Sequence, residues 1–469
     1  MVFSSATFLF LFLPIVYILY RIIPSIPAKN GFLILVSLLF YAFGEPFAVF
    51  LMIGSVFLSY LCGLGIAKGK KWKTACLVLG IAGNLGVLCV YKYAVFFLQA
   101  LNAVFPFEIP VPQIELPIGI SFFIFQSISY VIDVSRKEIE VQKNPFYLLL
   151  YVSFFPQLIA GPIVKYHDIA EMITNRTVTA SGTAQGMRRF ICGLSKKLLI
   201  ANVMGQAADT VFGLDADLLS MPSAWLGAIC YTLQIYFDFS GYSDMAIGLG
   251  SMFGFTFKEN FNYPYISENI TEFWRRWHIS VSTWFKEYLY FPLGGNRKGK
   301  KRTVLNKWIV FLCTGFWHGA NWTFLIWGAI NGAFLMLEEY QWIPTKKIKW
   351  KPLRHLYAMV VVVCAFVIFR ADTLGQAGTM YAAMFTGISM DARSWNALTQ
   401  LFTPLFLVVF LAAIVACTPI LPFVQRKVKG HRLELVCQSS SYVVTFLLLI
   451  LCILNLSVSA YNPFIYFRF

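Results

Sequence analysis

The sequence predicts an all-α protein that crosses a membrane many times, as a single integral membrane domain over residues 1–469. Three observations predict it. The apolar set AVILMFWYC makes up 58% of the 469 residues and the charged set 13%, against about 25% charge in a soluble domain. A chain with mean hydropathy +0.68 cannot clothe its surface in polar groups in water. The apolar residues fall into runs near the roughly 20 that a helix needs to cross a bilayer, and the charge is clustered between those runs. A soluble globule, a coiled coil and a disordered chain are excluded.

The first run, 3–23, has no basic leader and no small-residue cleavage pattern, so a retained helix is expected and not a signal peptide. Further runs lie at 31–43, 47–66, 74–100, 118–134, 146–164, 190–212, 224–237, 243–257, 304–317, 320–337, 356–370, 400–424 and 438–460. Several are short or interrupted, so about 11 crossings are expected, with re-entrant or interfacial helices besides. No internal repeat is visible, which weighs against a transporter built from duplicated halves.

Lys and Arg number 38 and Asp and Glu 22, a net charge of +16. In a soluble protein this excess would suggest nucleic acid. Here the basic clusters at 21–29, 68–73, 297–302, 346–354 and 426–432 flank apolar runs and read as cytoplasmic loops. Placing 21–29 inside puts the N-terminus outside. The hairpin 31–66 then returns inside at 68–73, and 74–100 crosses outward to 106–117. That loop has four Pro, two Glu and no Lys or Arg, as an outer loop should. The ten Cys lie mostly in apolar runs with no C-x-x-C, and read as small hydrophobes and not as a disulfide frame or zinc site.

Residues 257–302 depart from this pattern, being aromatic, charged and weakly hydrophobic. They are expected to form a cytoplasmic-side amphipathic and basic segment, with Trp274, Trp277 and Trp284 in the interfacial belt. Asn269 or Ser267 is a candidate cap for a helix carrying Glu272 in its first turn and a Glu272–Arg276 pair.

Of the five His, His355 and His431 lie in basic loops and read as solvated, and His167 reads as loop polar. His318 differs. It sits in T-G-F-W-H-G-A-N-W-T between two apolar runs that would form one long stretch were they not broken at Gly315 and Gly319. An ionisable group at that depth is costly and lines a cavity or site, and irregular backbone there needs cover from protein or water. A neutral imidazole can take a proton from a hydroxyl near pH 7. His278, forty positions earlier, does not complete a zinc site, which needs three or four ligands, and no metal is expected. Asp238 and Asp244, in Y-F-D-F-S-G-Y-S-D-M, read either as an ion path or as structural groups that cap helices or hold Arg275 and Arg276.

Several motifs together carry a resemblance: F-F-P-Q-L-I-A-G-P-I-V (154–164), G-L-S-K-K-L-L-I-A-N (193–202), Q-I-Y-F-D-F-S-G-Y-S-D-M-A-I-G-L-G (234–250), F-W-R-R-W-H-I-S-V-S-T-W (273–284), Y-F-P-L-G-G-N-R-K-G (290–299) and G-F-W-H-G-A-N-W-T-F-L-I-W-G (315–328). The chain resembles membrane-bound O-acyltransferases (MBOAT), over about 30–460. The similar branch is the bacterial one of alginate O-acetylation proteins, peptidoglycan O-acetyltransferases and the teichoic acid D-alanylation acyltransferase. The resemblance implies a ring of transmembrane helices around a thin, funnelled centre. It implies an acyl thioester on the cytoplasmic side, acetyl-CoA as donor substrate with no bound cofactor, and release of the acyl group outside. It makes His318 the catalytic His and His278 the second family His.

On this reading Trp274, Arg275, Arg276, Trp277, Trp317 and Asn321 shape or bind the donor side, with the basic residues of 275–302 holding the CoA phosphates. The C-terminal tail, 461–469, resembles an F-x-Y-x-x-F terminal motif in which a tyrosine, here Tyr466, carries the acyl group. A phenol of pKa about 10 leaves its ester activated for onward transfer, although spacing alone also fits an aromatic anchor at the interface. The implied partners are an extracytoplasmic SGNH or esterase-like acetyltransferase, an envelope polysaccharide and membrane lipids, with no nucleic acid, and the implied location is the bacterial plasma (inner) membrane. The alternatives are a transporter or flippase of an envelope precursor, resting on Asp238 and Asp244, and an MBOAT acting on lipid or protein.

Overall fold

The computed structural model describes residues 1–105, 108–159, 161–388, 391–430, 433–458 and 461–465, and every regular element among them is a helix. Among the described residues, four helices are long and apolar enough to cross a membrane: Ala48–Ala67, Lys70–Val104, Lys351–Arg370 and Leu433–Val458. A fifth span arises if Ala392–Thr399 and Pro404–Ala416, bent by 69°, are taken together. The chain divides into two compact units, Met1–Phe190 with Ser243–Glu259, and Ile191–Tyr242 with Asn260–Phe469.

In the first unit the Ile120–Arg136 helix is buried on nearly every side. Small residues let its neighbours close on it: a Cβ on Gly63 would stand 2.9 Å from the Tyr130 hydroxyl, and one on Gly80 2.9 Å from Val131. Without a strong hydrophobic drive between helices in lipid, such close approach carries much of the association. Polar residues in this core pair with one another; Asn84 bonds Ser55 and Ser59. Asp244 accepts from Arg189 at 2.9–3.1 Å, and Arg189 also holds Glu259.

In the second unit the Lys300–His318 and Trp322–Glu339 helices form a tight hairpin. A Cβ on Gly315 would lie 2.3 Å from the Phe324 carbonyl oxygen, and one on Gly328 2.4 Å from that of Phe311. Glu338 ties the hairpin to the short Ile270–Arg276 helix. Its carboxylate accepts from the Ile270 and Thr271 N–H groups at 2.6 and 2.9 Å and from the Thr271 hydroxyl at 2.7 Å, which satisfies first-turn donors that a helix leaves open.

Several expectations change. The short run 224–237 and the first ten residues of 243–257 belong to one continuous helix of 32 residues, Met221–Met252. The run 146–164 is broken at Phe154, and 400–424 contains separate helices Pro404–Ala416 and Ile420–Val428. Gly315 lies inside a helix and serves packing, so the chain breaks only at Gly319. The Trp residues of 257–302 are not an interfacial belt: Trp277 and Trp284 are buried and Trp274 is half-buried. His355 is half-buried in the first turns of the Lys351–Arg370 helix, with Nδ1 3.1 Å from the Ser267 carbonyl oxygen. His431 lies outside the described residues.

Candidate active site

The 257–302 segment builds one wall of the site. Asn269 caps the Ile270–Arg276 helix by accepting from the Glu272 N–H at 2.7 Å, and Glu272 pairs with Arg276 at 2.9 Å, one turn on, as expected. The helix then stops. Trp277 is extended, His278 takes a left-handed conformation at φ 42°, and a second helix, Ile279–Phe285, starts. A non-glycine residue at positive φ is unfavourable and is held by its surroundings. Here Asn260 holds it. The Asn260 carbonyl accepts the Ile279 N–H at 2.9 Å, and its side-chain oxygen accepts the Ser280 N–H at 3.1 Å and the Ser280 hydroxyl at 2.9 Å. The backbone donor identifies that atom as oxygen, so His278 Nδ1, 3.3 Å away, is the donor, and Nε2 is the acceptor of the ring.

His318 comes from the opposite wall as the last residue of its helix. Gly319 follows in extended backbone, and a Cβ there would stand 2.3 Å from the Phe324 ring. His318 is buried among rings: Trp317 at 4.8 Å, Trp327 at 5.1 Å and Phe369 at 5.2 Å between centroids, all nearly perpendicular to it. Trp317 also lies 6.0 Å from His278, so one indole stands beside both imidazoles. His278 meets the Phe239 ring edge to face at 4.4 Å. A cavity opens onto His318, lined otherwise by Ile235, Phe239, Trp277, Trp327, Phe366, Phe369 and Ile465. It surrounds His318 with apolar side chains, a setting in which charge interactions are strengthened.

The expected site residues separate into two groups. His318 and Trp277 line the cavity, His278 and Trp317 pack against its lining residues Phe239 and His318, and Trp274 supports it from behind, donating to Asn331 Oδ1 at 3.2 Å and packing on Trp327 at 5.7 Å. Asn321 instead caps the Trp322–Glu339 helix and donates to the Asp372 carbonyl. Arg276 is committed to Glu272 and the Asn262 carbonyl, and Arg275 is exposed. Tyr466 lies outside the described residues, but its chain neighbour Ile465 is buried and lines the His318 cavity. Asp238 does not hold Arg275 or Arg276; its Oδ1 stands 2.7 Å from Lys197 Nζ. Phe366 and Phe369, on the distant Lys351–Arg370 helix, and Asn260 were not singled out, because an aromatic in a span and an Asn in a loop carry no signal until the fold assembles them.

Comparison with known proteins gives the same assignment. The model of MBOAT, the membrane-bound O-acyltransferase family, matches residues 83–374. The chain is 41% identical over 490 residues, covering 100% of both sequences, to a Pseudomonas putida protein named "Probable alginate O-acetylase AlgI". It is 37% identical over 430 residues to the "Peptidoglycan O-acetyltransferase" of Helicobacter pylori, covering 83% of this chain and 81% of the relative. To the "Teichoic acid D-alanyltransferase" of Bacillus subtilis it is 27% identical over 264 residues, 53% of this chain and 65% of the relative. The chain that places His318 at a helix break inside a ring-lined cavity thus belongs to the membrane-bound O-acyltransferase family.

Proposed function

We propose that this O-acetyltransferase moves an acetyl group from cytoplasmic acetyl-CoA across the bacterial inner membrane, for O-acetylation of an envelope polysaccharide, with about 11 crossings ringing the centre and the N-terminus outside. The observation that carries the reading is that His318 and Ile465, the residue preceding Tyr466, line the same cavity. His318 acts as general base. As the Tyr466 phenol oxygen attacks the thioester carbonyl, its proton passes to the imidazole. The C–S bond breaks, the thiol of CoA leaves with that proton, and the acetyl group remains as a phenyl ester. An acceptor hydroxyl, presented by an SGNH or esterase-like partner outside, then takes the acetyl group and the phenol is restored. His278, fixed by Asn260, orients the donor side together with Trp277 and Trp317.

The test is His318→Ala in purified, folded protein with labelled acetyl-CoA. Transfer is expected to fall by about 10²–10⁴-fold, the usual worth of a positioned acid–base group; undiminished transfer would overturn the role. Mass spectrometry of the C-terminal peptide is expected to find the acetyl group on Tyr466. An unmodified Tyr466 during active transfer would return the tail to the role of an anchor.

A further inference from the structure

The second unit holds a polar cluster that the transfer chemistry does not use. Lys197 and Asp238 are both almost completely buried and stand 2.7 Å apart. Burying two charges costs several kcal/mol in hydration, and an apolar pair of similar volume often serves stability as well. This pair does something an apolar pair cannot. Lys197 Nζ donates to the Pro463 carbonyl oxygen, and Asp238 Oδ2 accepts from the Ile465 N–H at 2.9 Å. Each ion therefore holds one backbone group of the tail, two residues apart.

The surroundings are shaped to the same end. A Cβ on Gly241 would stand 2.7 Å from the Gly193 carbonyl oxygen and 3.3 Å from the Lys197 N–H nitrogen, so glycine lets the Met221–Met252 helix press Asp238 onto Lys197. Lys197 lies in a widened π-helical turn, Lys196–Ala201, a local insertion that often marks function. Upstream, Asn202 Nδ2 donates to the Tyr461 carbonyl oxygen at 3.0 Å, and the Tyr461 hydroxyl donates to Asp209 Oδ2 at 2.6 Å. Gly205 leaves the space for that hydroxyl, 3.0 Å from where a Cβ would be. Arg370 in turn holds Asp209 at 2.5 Å.

We propose that the Lys197–Asp238 pair is a main-chain clamp that fixes the register in which the C-terminal tail enters the His318 cavity, which makes the two side chains positioning residues for transfer. This rests on the reading of Tyr466 as acyl carrier. Recognition through the backbone of Pro463 and Ile465 reads position along the chain more than side-chain identity.

Two variants test it in the full-length protein. Lys197→Met with Asp238→Leu removes both charges together and leaves no unpaired ion. Insertion of one glycine between residues 465 and 466 leaves the clamp intact and advances the chain by about 3.5 Å. Carboxypeptidase digestion in detergent reads docking, and acetyl label on the tail reads transfer. In the wild type digestion is expected to stop before Ile465; in the double variant it is expected to run past Ile465, and transfer to fall at least tenfold. In the insertion variant residues 461–465 are expected to stay protected while transfer falls by a similar factor. Unchanged protection in the double variant overturns the clamp. Undiminished transfer in the insertion variant overturns the register role, because a merely structural tail would tolerate the added residue. Tyr466→Phe, run alongside, separates the two readings. If it abolishes transfer while the insertion does not, the register fails and the carrier stands; if it transfers normally, the carrier role fails on its own.

Discussion

At His278 a single strained residue links geometry to protonation. Its left-handed backbone is held by the Asn260 carbonyl, and its ring tautomer by the Asn260 side chain. Asn260→Ala keeps the first bond and loses the second. It also strips the half-buried Ser280 N–H of its partner, a cost of about 1 kcal/mol. A lower melting temperature in detergent is expected, with kcat reduced more than KM for acetyl-CoA, because the imidazole can then adopt either tautomer. Asn260→Asp, which keeps the acceptor, should recover most of the rate. If Ala and Asp variants are equally active, the tautomer argument fails. The two His were legible in the sequence because an ionisable group in an apolar run is conspicuous. Asn260 was not, because its importance comes from a contact eighteen residues away in the chain.

Among elements, the hairpin of Lys300–His318 with Trp322–Glu339 positions His318. The sequence showed the break at Gly319, where polar residues interrupt the apolar run. It could not separate that glycine from Gly315, since both look like interruptions until the partner helix is in place. The long Met221–Met252 helix was missed for the complementary reason: its polar stretch around Asp238 dilutes hydropathy, yet those side chains are buried against protein and the backbone ladder never stops. The distinction between the glycines can be measured. Gly315→Ala and Gly328→Ala each place a methyl within 2.4 Å of a facing carbonyl oxygen. Parting the helices should cost about 1–3 kcal/mol and lower transfer beyond what the loss of folded protein explains, because His318 is three residues from Gly315. Gly378→Ala, in the Leu374–Thr386 helix with nothing within 4 Å of the new carbon, should be neutral or slightly stabilising, since alanine favours helix. Thermal melts with activity per folded molecule decide it; equal behaviour of the three variants would contradict the packing account.

Across the whole molecule, the +16 charge and the buried His318 meet on one helix. Its first residues, Lys300, Lys301 and Arg302, continue the exposed basic run that starts at Arg297, and its last residue is His318, about 27 Å further along the axis. The sequence legibly concentrated basic residues at 275–302; Arg276 turns inward to Glu272 and the Asn262 carbonyl, Arg275 and Lys286 are exposed singly, and the densest exposed cluster is 297–302, which on the proposed function is the receiver to test for an anionic donor. An exposed cluster acts through solvent, so its attraction weakens as the screening length falls from about 10 Å at 0.1 M salt to about 3 Å at 1 M. The KM for acetyl-CoA in the wild type should therefore rise several-fold across that range, while kcat holds within about twofold, since the ring-lined cavity is shielded from salt. Replacing Arg297, Lys298, Lys300 and Lys301 together by Gln should raise KM at low salt and flatten its salt dependence, with kcat again little changed. Steady-state kinetics of both proteins over the salt series is the check. A variant as salt-sensitive as the wild type would show that the cluster serves membrane orientation alone, and that the donor's phosphates are held elsewhere.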